Sequence, residues 1–532
     1  MHAAAQRGNL RDRGRKGPPV KKIVLVACCA CVALALCGRA SANVSFGITE
    51  DTGALGDPNT FYTTLNDIGA NENRIAISWD PAQPTTIPDQ ASLDFWVPQA
   101  TIHAVRIIFA VSPAHPKDIT ASPDRVNQFA AFVKQLATTY PVVKDFVIGN
   151  EPNQPHFWQP QFSDSGAALS GAAYEPLLAA SYDALKSANP SINVIGIGLS
   201  PRGNDNPLAK NNISISPVRF INDVGIAYRA SKRTKPIMDE LGFHPYPNQN
   251  NDPPLKGYPW PKAGIPNLDR IKQAVWDAFN GTAQPLFPER GKAAPANALH
   301  LDLDETGWQV AIPPSLQNLY TGKENVIPID EGTQAQYYSD IVRFVSCDPD
   351  VRSLSFFHLI DERDLDRWQS GLLRADDSRR PSYDAVKAAI AQTQGRCQLA
   401  PPGWKHITSV NGATVSFGYL GNPRAWSNKL WRFRAAAQED ATYKAGVFRV
   451  APGKLKAKAR KAILKSLANP RSNPLLVARG KALAYKSKLV ALPKKRLKRA
   501  GFYVYGIQLA AAMNPKRTYF AISRPFRVKA RR

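Results

Sequence analysis

Two short segments hold carboxyl groups where a chain could use them as a pair. They are Ile148-Gly149-Asn150-Glu151-Pro152-Asn153 and Asp302-Leu303-Asp304-Glu305-Thr306-Gly307-Trp308. Each closes an apolar run of β-strand type, Asp145–Gly149 and Leu299–Asp304. Two carboxyl groups that face each other across a cleft can divide the work of breaking a glycosidic bond. One donates a proton to the leaving oxygen while the other attacks the anomeric carbon. A separation of about 5–5.5 Å gives retention through a covalent glycosyl-enzyme. One group must then be protonated and the other ionised, so their surroundings must hold the two pKa values apart. Glu151 and Glu305 are the candidates for that pair.

Elements that could aim them are legible around both. Eight apolar β-type runs, Val44–Ile48, Arg74–Ser78, Val105–Val111, Asp145–Gly149, Asn193–Gly198, Asp239–Phe243, Leu299–Asp304 and Leu354–Leu359, alternate with amphipathic stretches. Their near-continuous hydrophobicity suits parallel strands buried on both faces. Helices are predicted from Ser122-Pro123-Asp124 through Leu136, over Tyr174–Ala188, Asn267–Phe279, Thr333–Val345 and Ser382–Ala391, with Pro and Asn-Gly at their ends. The expected fold class is therefore α/β, a (β/α)8 TIM barrel over 43–399, whose strand C-termini bring Asn150, Glu151 and Glu305 to one face. A doubly wound open sheet is the rival, but the first strand is followed by no Gly-rich phosphate loop. Beyond Pro401-Pro402-Gly403 the pattern becomes alternation. Trp431 and Phe433 oppose Arg432 and Arg434, and Tyr503, Tyr505, Ile507 and Leu509 keep period two. That predicts a small all-β, sandwich-like C-terminal domain over 400–532, with the Lys-rich stretch 454–499 as a short helix or a loop.

Each chemical signal also has a plain structural reading. Asn-Glu-Pro is common in turns. Asp302, Asp304 and Glu305 could form a solvated face or oxygen ligands for a hard cation. Strand alternation points Asp302 and Asp304 one way and Glu305 the other. His244 could be a satisfied structural histidine, and Arg74 could simply pair with a nearby carboxylate. What those readings handle poorly is the order of all these residues on successive strands.

In that order the chain resembles clan A of the retaining glycoside hydrolases, and within it families 5 and 39, the cellulase-like and xylosidase-like barrels. The resemblance runs through residues 44–395. It implies that Glu151 is the acid/base, Glu305 the nucleophile and Asn150 the partner of the sugar 2-hydroxyl. It further implies that Arg74 braces the nucleophile, with His244 and Tyr246 of His244-Pro245-Tyr246 beside it. Trp368-Gln369-Ser370-Gly371-Leu372 and Arg380-Pro381-Ser382-Tyr383 resemble the tail of cellulase-like barrels. Trp79, Trp158, Trp308 and Trp368 each follow a strand end, where an indole could carry the apolar face of a sugar or simply pack. The loop Pro245–Pro266, with Tyr258 and Trp260, is placed to wall a cleft.

Composition sets the context. At 532 residues and 44% hydrophobic content the chain can bury more than one core. Residues 1–42 read as a signal peptide: Arg11, Arg13, Arg15, Lys16, Lys21 and Lys22, then the apolar run Ile23–Cys37, then Ala40-Ser41-Ala42. A lipoprotein box at Leu25-Val26-Ala27-Cys28 is the alternative. Export leaves Cys347 and Cys397, each after a predicted helix, and an oxidising compartment favours their disulfide. The net charge of +26 is unevenly spread: +7 over 1–42, −9 over 43–399 and +28 over 400–532, where only Glu439 and Asp440 oppose thirty Lys and Arg. The expected partners are a carbohydrate substrate and, for the basic domain, an anionic cell-wall polymer or surface. Nucleic acid is not expected, since no recognised motif accompanies the charge. Zinc-ligand spacing and Gly-x-Ser-x-Gly are both absent, and the chemistry requires no cofactor. The reading is a secreted or wall-associated retaining glycosidase; the alternative is a non-catalytic polysaccharide-binding protein on the same barrel.

Overall fold

Among the residues described by the computed structural model (43–397, 403–418, 432–469, 475–492, 497 and 499–530), eight parallel strands close into a barrel in chain order. Residues 1–42, expected to be a signal peptide, the 399/400 boundary with Pro401-Pro402, and Trp431 lie outside the described residues. The strands are β1 Ser45–Thr49, β2 Glu72–Trp79, β3 Arg106–Pro113, β4 Asp145–Ile148, β5 Asn193–Leu199, β6 Glu240–Phe243, β7 His300–Thr306 and β8 Val351–Phe357. Around them run α1 Pro58–Ile68, α2 Gln90–Ile102, α3 Asp124–Thr139, α4 Ser170–Ala188, α5 Pro217–Ala230, α6 Leu268–Phe279, α7 Glu331–Val345 and α8 Pro381–Thr393.

Local chemistry explains several helix ends. Asp57 accepts the Thr60 N–H at 3.0 Å with Pro58 at the first turn, and Asp330 accepts the Thr333 N–H at 2.8 Å. The outward faces of the strands, among them Ile75, Ile77, Phe109, Val111, Phe146, Ile148, Leu301 and Leu303, join the helices in one apolar core.

The barrel interior is different. Ile108, Ala110, Val147 and Ile195 form a small apolar cluster of their own, and charges fill much of the rest. At the strand starts Arg106 pairs with Glu72 and with Asp145 (2.7 Å), and Arg352 pairs with Glu240 and Asp145 (3.6 Å). Strands β4 and β8 stand on opposite sides of the barrel, so the Arg352–Asp145 contact crosses its inside.

The C-terminal part is a two-sheet antiparallel sandwich. One sheet orders β13 Lys488–Ala491, β10 Arg432–Ala436 and β9 Thr414–Phe417. The other orders β12 Leu476–Ala482, β11 Ala441–Val450, β14 Gly501–Ala511 and β15 Thr518–Ile522, with β16 Phe526–Val528 also on β14. Phe433 and Val490 of the first sheet share a core with Val447, Tyr503, Tyr505, Ile507 and Leu509 of the second. Val504, between those tyrosines, faces the other way and packs on Ile463 and Leu467 of α9 Ala457–Ala468. The Lys-rich stretch thus holds a helix and two strands.

Barrel and sandwich pack together within one compact unit, 43–532. Trp276 of α6 stacks on His406 at 4.2 Å, and buried Arg517 bridges Asp277 of the barrel (2.6 Å) to Glu439.

Cys347 and Cys397 are bonded to each other, just past α7 and α8. They close a loop over a sequence separation of 50 residues. Such a cross-link restricts the unfolded chain, and its removal costs about 2–4 kcal/mol. The Cys347→Ser/Cys397→Ser protein should therefore unfold at a lower urea concentration than the oxidised wild type. An unchanged midpoint would show that the bridge contributes no stability.

Candidate active site

The chain leaves β4 through a turn that aims Glu151. Gly149 sits at φ +83 with the Tyr174 ring so close that a Cβ there would stand 3.1 Å from it. The Tyr174 hydroxyl donates to the Ile148 carbonyl (2.5 Å) and accepts the Ile197 N–H (2.8 Å), pinning the turn from behind. Glu151 itself adopts φ +40, a left-handed conformation that a non-glycine residue holds only when its surroundings impose it. Its N–H donates to the Gly198 carbonyl at 2.8 Å, tying the end of β4 to β5.

Glu305 arrives by a different device. Simple alternation predicts that it points away from Asp304, and the structure corrects that expectation. The pairing of β7 with β8 slips between Leu303 and Thr306, and this irregularity swings both carboxylates to one cation. Arg74 Nε lies 3.2 Å from Asp304 Oδ2, and Arg74 Nη1 lies 2.8 Å from Glu305 Oε1. Arg74 Nη2 also donates to Asn150 Oδ1 at 3.3 Å. The three acidic side chains of the segment form neither a solvated face nor a cage around one point: Asp302 accepts from Ser353, while Asp304 and Glu305 meet Arg74 and His244.

His244, fully buried just past β6, links the two glutamates. Its Nδ1 is 3.1 Å from Glu151 Oε1 and 3.4 Å from Glu305 Oε2, so those two oxygens lie within about 6.5 Å of each other. Its Nε2 is 3.3 Å from Asp304 Oδ1. The Tyr246 hydroxyl donates to Glu305 Oε2 at 3.0 Å. Tyr258, from the loop expected to wall the cleft, donates to the Tyr246 carbonyl at 2.8 Å and packs behind it. Tyr258 and Trp260 are themselves buried.

The electrostatics follow from this packing. Burial alone would discharge the His244 imidazole, but the Glu305 and Asp304 carboxylates outweigh it and push its pKa up to about 10. Burial likewise opposes charge on Asp304, yet His244 and Arg74 hold it below the usual carboxylate range. Asp302 has no such cation: burial, Asp304, Glu240 and Glu72 raise it well above that range. Burial, Glu305 and Glu151 raise the Tyr246 phenol, which keeps its proton and remains a donor.

Of the four tryptophans proposed as platforms, the structure removes three. Trp79, Trp158 and Trp308 are at most 2% exposed. Trp79 packs edge-on to Phe129, Trp158 on Tyr174, and Trp308 on Tyr337 and Tyr338. A strand end is also where the core closes over, and here packing claims the rings. Trp368 remains half-buried, its ring centroid 4.7 Å from that of Tyr246.

Two further groups at the mouth escaped the sequence reading. Glu50, just past β1, accepts the Leu359 N–H at 3.2 Å, and burial pushes its pKa up to about 8. His358, just past β8, bonds the Thr49 carbonyl at 2.9 Å, and burial lowers it to about 4. Both follow barrel strands, which is the signal that could have found them. A cavity of about 840 Å³ between the β4–α4 and β5–α5 loops is lined by Pro155, Phe162, Lys210, Asn212 and Ile213.

No protein-family model matches the chain, and no curated protein sequence is similar to it. Solved structures similar to it include a family 39 glycoside hydrolase from the gut symbiont Bacteroides cellulosilyticus WH2, at TM-score 0.45 and 15% identity over 85% of this chain and 82% of that one. A glucosidase from Croceicoccus marinus is similar at TM-score 0.42 and 12% identity, over 88% of this chain and 95% of that one. A GH2 β-galacturonidase from Eisenbergiella tayi is similar at TM-score 0.41 and 11% identity, over 66% of this chain and 51% of that one. Likenesses this distant do not say which residues act.

The charge on His244 makes a measurable claim. Its pKa is raised from 6.5 to about 10, so its protonated form favours the folded state. That contribution is complete below about pH 6.5 and is lost as pH rises through 10. The difference in unfolding free energy between wild type and His244→Asn should be widest near pH 6 and shrink steadily toward pH 10. A difference that stays constant over that range would mean an uncharged imidazole.

Proposed function

We propose that this protein is a secreted retaining glycoside hydrolase that cleaves O-glycosidic bonds by double displacement. The observation that supports the reading is the sharing of His244 Nδ1 between Glu151 and Glu305, which keeps those two oxygens within about 6.5 Å of each other, no farther apart than the lower end of the range for an inverting pair. Their hydrogen-bond partners differ. Glu305 is oriented by Arg74 on one oxygen and Tyr246 on the other, as a nucleophile needs. Glu151 has one oxygen on His244 and is the more exposed of the two, placed to meet a leaving oxygen or a water.

In the first step a Glu305 oxygen forms a bond to the anomeric carbon as the bond to the leaving oxygen breaks. The Glu151 proton passes to that oxygen. In the second step Glu151 takes a proton from water, whose oxygen displaces Glu305 and restores both groups. Asn150 accepts from Arg74 through its carbonyl oxygen, which leaves its amide NH2 to donate to a sugar hydroxyl near the reacting carbon. Tyr246, and Trp368 leaning on it, supply an aromatic wall for the apolar face of the sugar.

Action outside the cell is supported by the basic-then-apolar segment 1–42 and by the Cys347–Cys397 bridge. The strongly basic C-terminal domain fits attachment to an anionic wall polymer or surface.

Exchange of each glutamate for its amide tests the assignment. Glu305→Gln should lose nearly all turnover, since an amide cannot form the glycosyl-enzyme. Glu151→Gln should keep far more activity on aryl glycosides with good leaving groups than on poor ones, because the former need little protonation. Proton NMR of the first-formed sugar should show retained anomeric configuration. Inversion would mean that water, not Glu305, attacks. Wild-type activity in both variants would remove the pair from the chemistry and leave the non-catalytic alternative.

A further inference from the structure

We infer that α9, with the lysines that lead into it, is a docking face for an acidic polysaccharide, a chain carrying carboxylate or sulfate groups along its length. The choice of a carbohydrate among polyanions rests on the glycosidase reading; the anionic character of the partner does not.

The helix has two faces with separate uses. Ile463 and Leu467 are buried against Val504 and Phe448 on the outer side of the β11–β14 sheet. Lys454, Lys456, Lys458, Arg460, Lys461 and Lys465 are all exposed. Lys458, Lys461 and Lys465 follow the three- and four-residue spacing of one helical face, opposite Ile463. At 1.5 Å per residue that row spans about 10 Å, and Lys454 extends it beyond the helix start.

Among the described residues, no acid neutralises this row. Residues 441–532 contain 25 Lys and Arg and no Asp or Glu. The two acids just before them are engaged: Glu439 is buried on Arg517, and Asp440 accepts the Ala484 N–H at 2.7 Å. Among the described residues none of the six cations named above is in an ion pair. The acidic barrel does not supply the counter-charge either. Among the described residues, Arg517–Asp277 and His406–Glu289 pair across that interface, and neither involves α9.

The same helix argues against a lipid surface as the occupant. An amphipathic helix that binds bilayers does so by inserting its apolar face. In α9 that face is already spent on the sheet, so only fixed charges are presented. A row of mobile lysines on a rigid helix suits a flexible chain of anions that can follow it.

The test uses the intact Glu305→Gln protein, so that a bound chain is not consumed. Polygalacturonate and a sulfated polysaccharide are compared with neutral dextran, with phosphatidylglycerol vesicles and with DNA, by co-sedimentation and fluorescence titration. Both anionic polysaccharides should bind and dextran should not. Affinity should fall steeply above about 0.1 M salt, where the screening length drops to about 10 Å. Lys458→Gln/Lys461→Gln/Lys465→Gln should weaken binding about tenfold or more, which is about 1.4 kcal/mol or more. The corresponding triple Lys→Arg variant should bind as the unsubstituted protein does. Unchanged affinity in the Gln variant, salt-insensitive binding, or a preference for vesicles or DNA over the polysaccharides would overturn the proposal. The same Gln substitutions on the active protein should leave turnover of a small aryl glycoside unchanged. Failure of the wild type on every glycoside would count against the glycosidase reading alone, because the binding arm uses no turnover.

Discussion

The site depends on one buried cation. The Arg74 guanidinium is 2% exposed, and a charge so far from water is tolerated only when paired and hydrogen-bonded on several sides. Arg74 itself sits on β2, and its partners come from two other parts of the barrel: Asn150 past β4, and Asp304 and Glu305 at the end of β7. Strand β2 is fixed in turn by its register with β1, where Thr49 faces Arg74, and with β3, where Ile108 does. To satisfy the guanidinium, β7 must deliver two consecutive carboxylates to one side, which a regular strand cannot do. The slipped register between Leu303 and Thr306 is the structural consequence. The irregularity that makes Glu305 available is thus enforced by the charge that orients it.

His244 extends the same logic. Two cations, Arg74 and His244, face three carboxyl groups, those of Glu151, Asp304 and Glu305. Asp304 touches both cations and makes no contact expected of a substrate-binding group, so its role is to hold them. Asp302, one layer deeper, accepts from Ser353, and burial with the neighbouring acids raises its pKa well above the usual carboxylate range. Below it, the Glu72–Arg106–Asp145–Arg352–Glu240 network closes the other end of the barrel. An interior built from ions gains less stability than an apolar one would, but it fixes which strands stand opposite each other.

Much of this was legible in the residues. All eight barrel strands were placed, because fully buried parallel strands announce themselves as apolar runs. The convergence of Arg74, Asn150, Glu151, His244, Tyr246 and Glu305 followed from their positions at strand ends. Three barrel helices, α1, α2 and α5, were not named; α2 carries Pro98 inside it and lacks a capping hydrogen bond, so its ends have no local signature. The orientation of Glu305 was misread because period-two alternation assumes an unbroken strand, and a bulge leaves no mark in composition. The tryptophans failed for a related reason. Position after a strand says that a ring is near the mouth, but which way it turns is settled by neighbours such as Phe129, Tyr174 and Tyr338, which are distant in sequence.

The division of charge along the chain has the same physical character as the division inside the barrel, with the opposite resolution. Inside the barrel, Arg74, His244, Arg106 and Arg352 are each paired with carboxylates. On α9 the cations are exposed and, among the described residues, in no ion pair, and the sandwich is held by the apolar residues shared between its two sheets. Like charges spaced along one helix repel, and at physiological salt, screening over about 8 Å weakens that repulsion without removing it. A sequence free to place glutamate four residues from each lysine of α9 would gain stability by doing so. The absence of any acid from 441 to 532 leaves that gain untaken, which sets the exposed row apart from an ordinary solvated face. The compensating charge must then come from outside the chain, and the fold keeps the row rigid, on a face that takes no part in the ion pairs to the barrel, where an external anion can reach it.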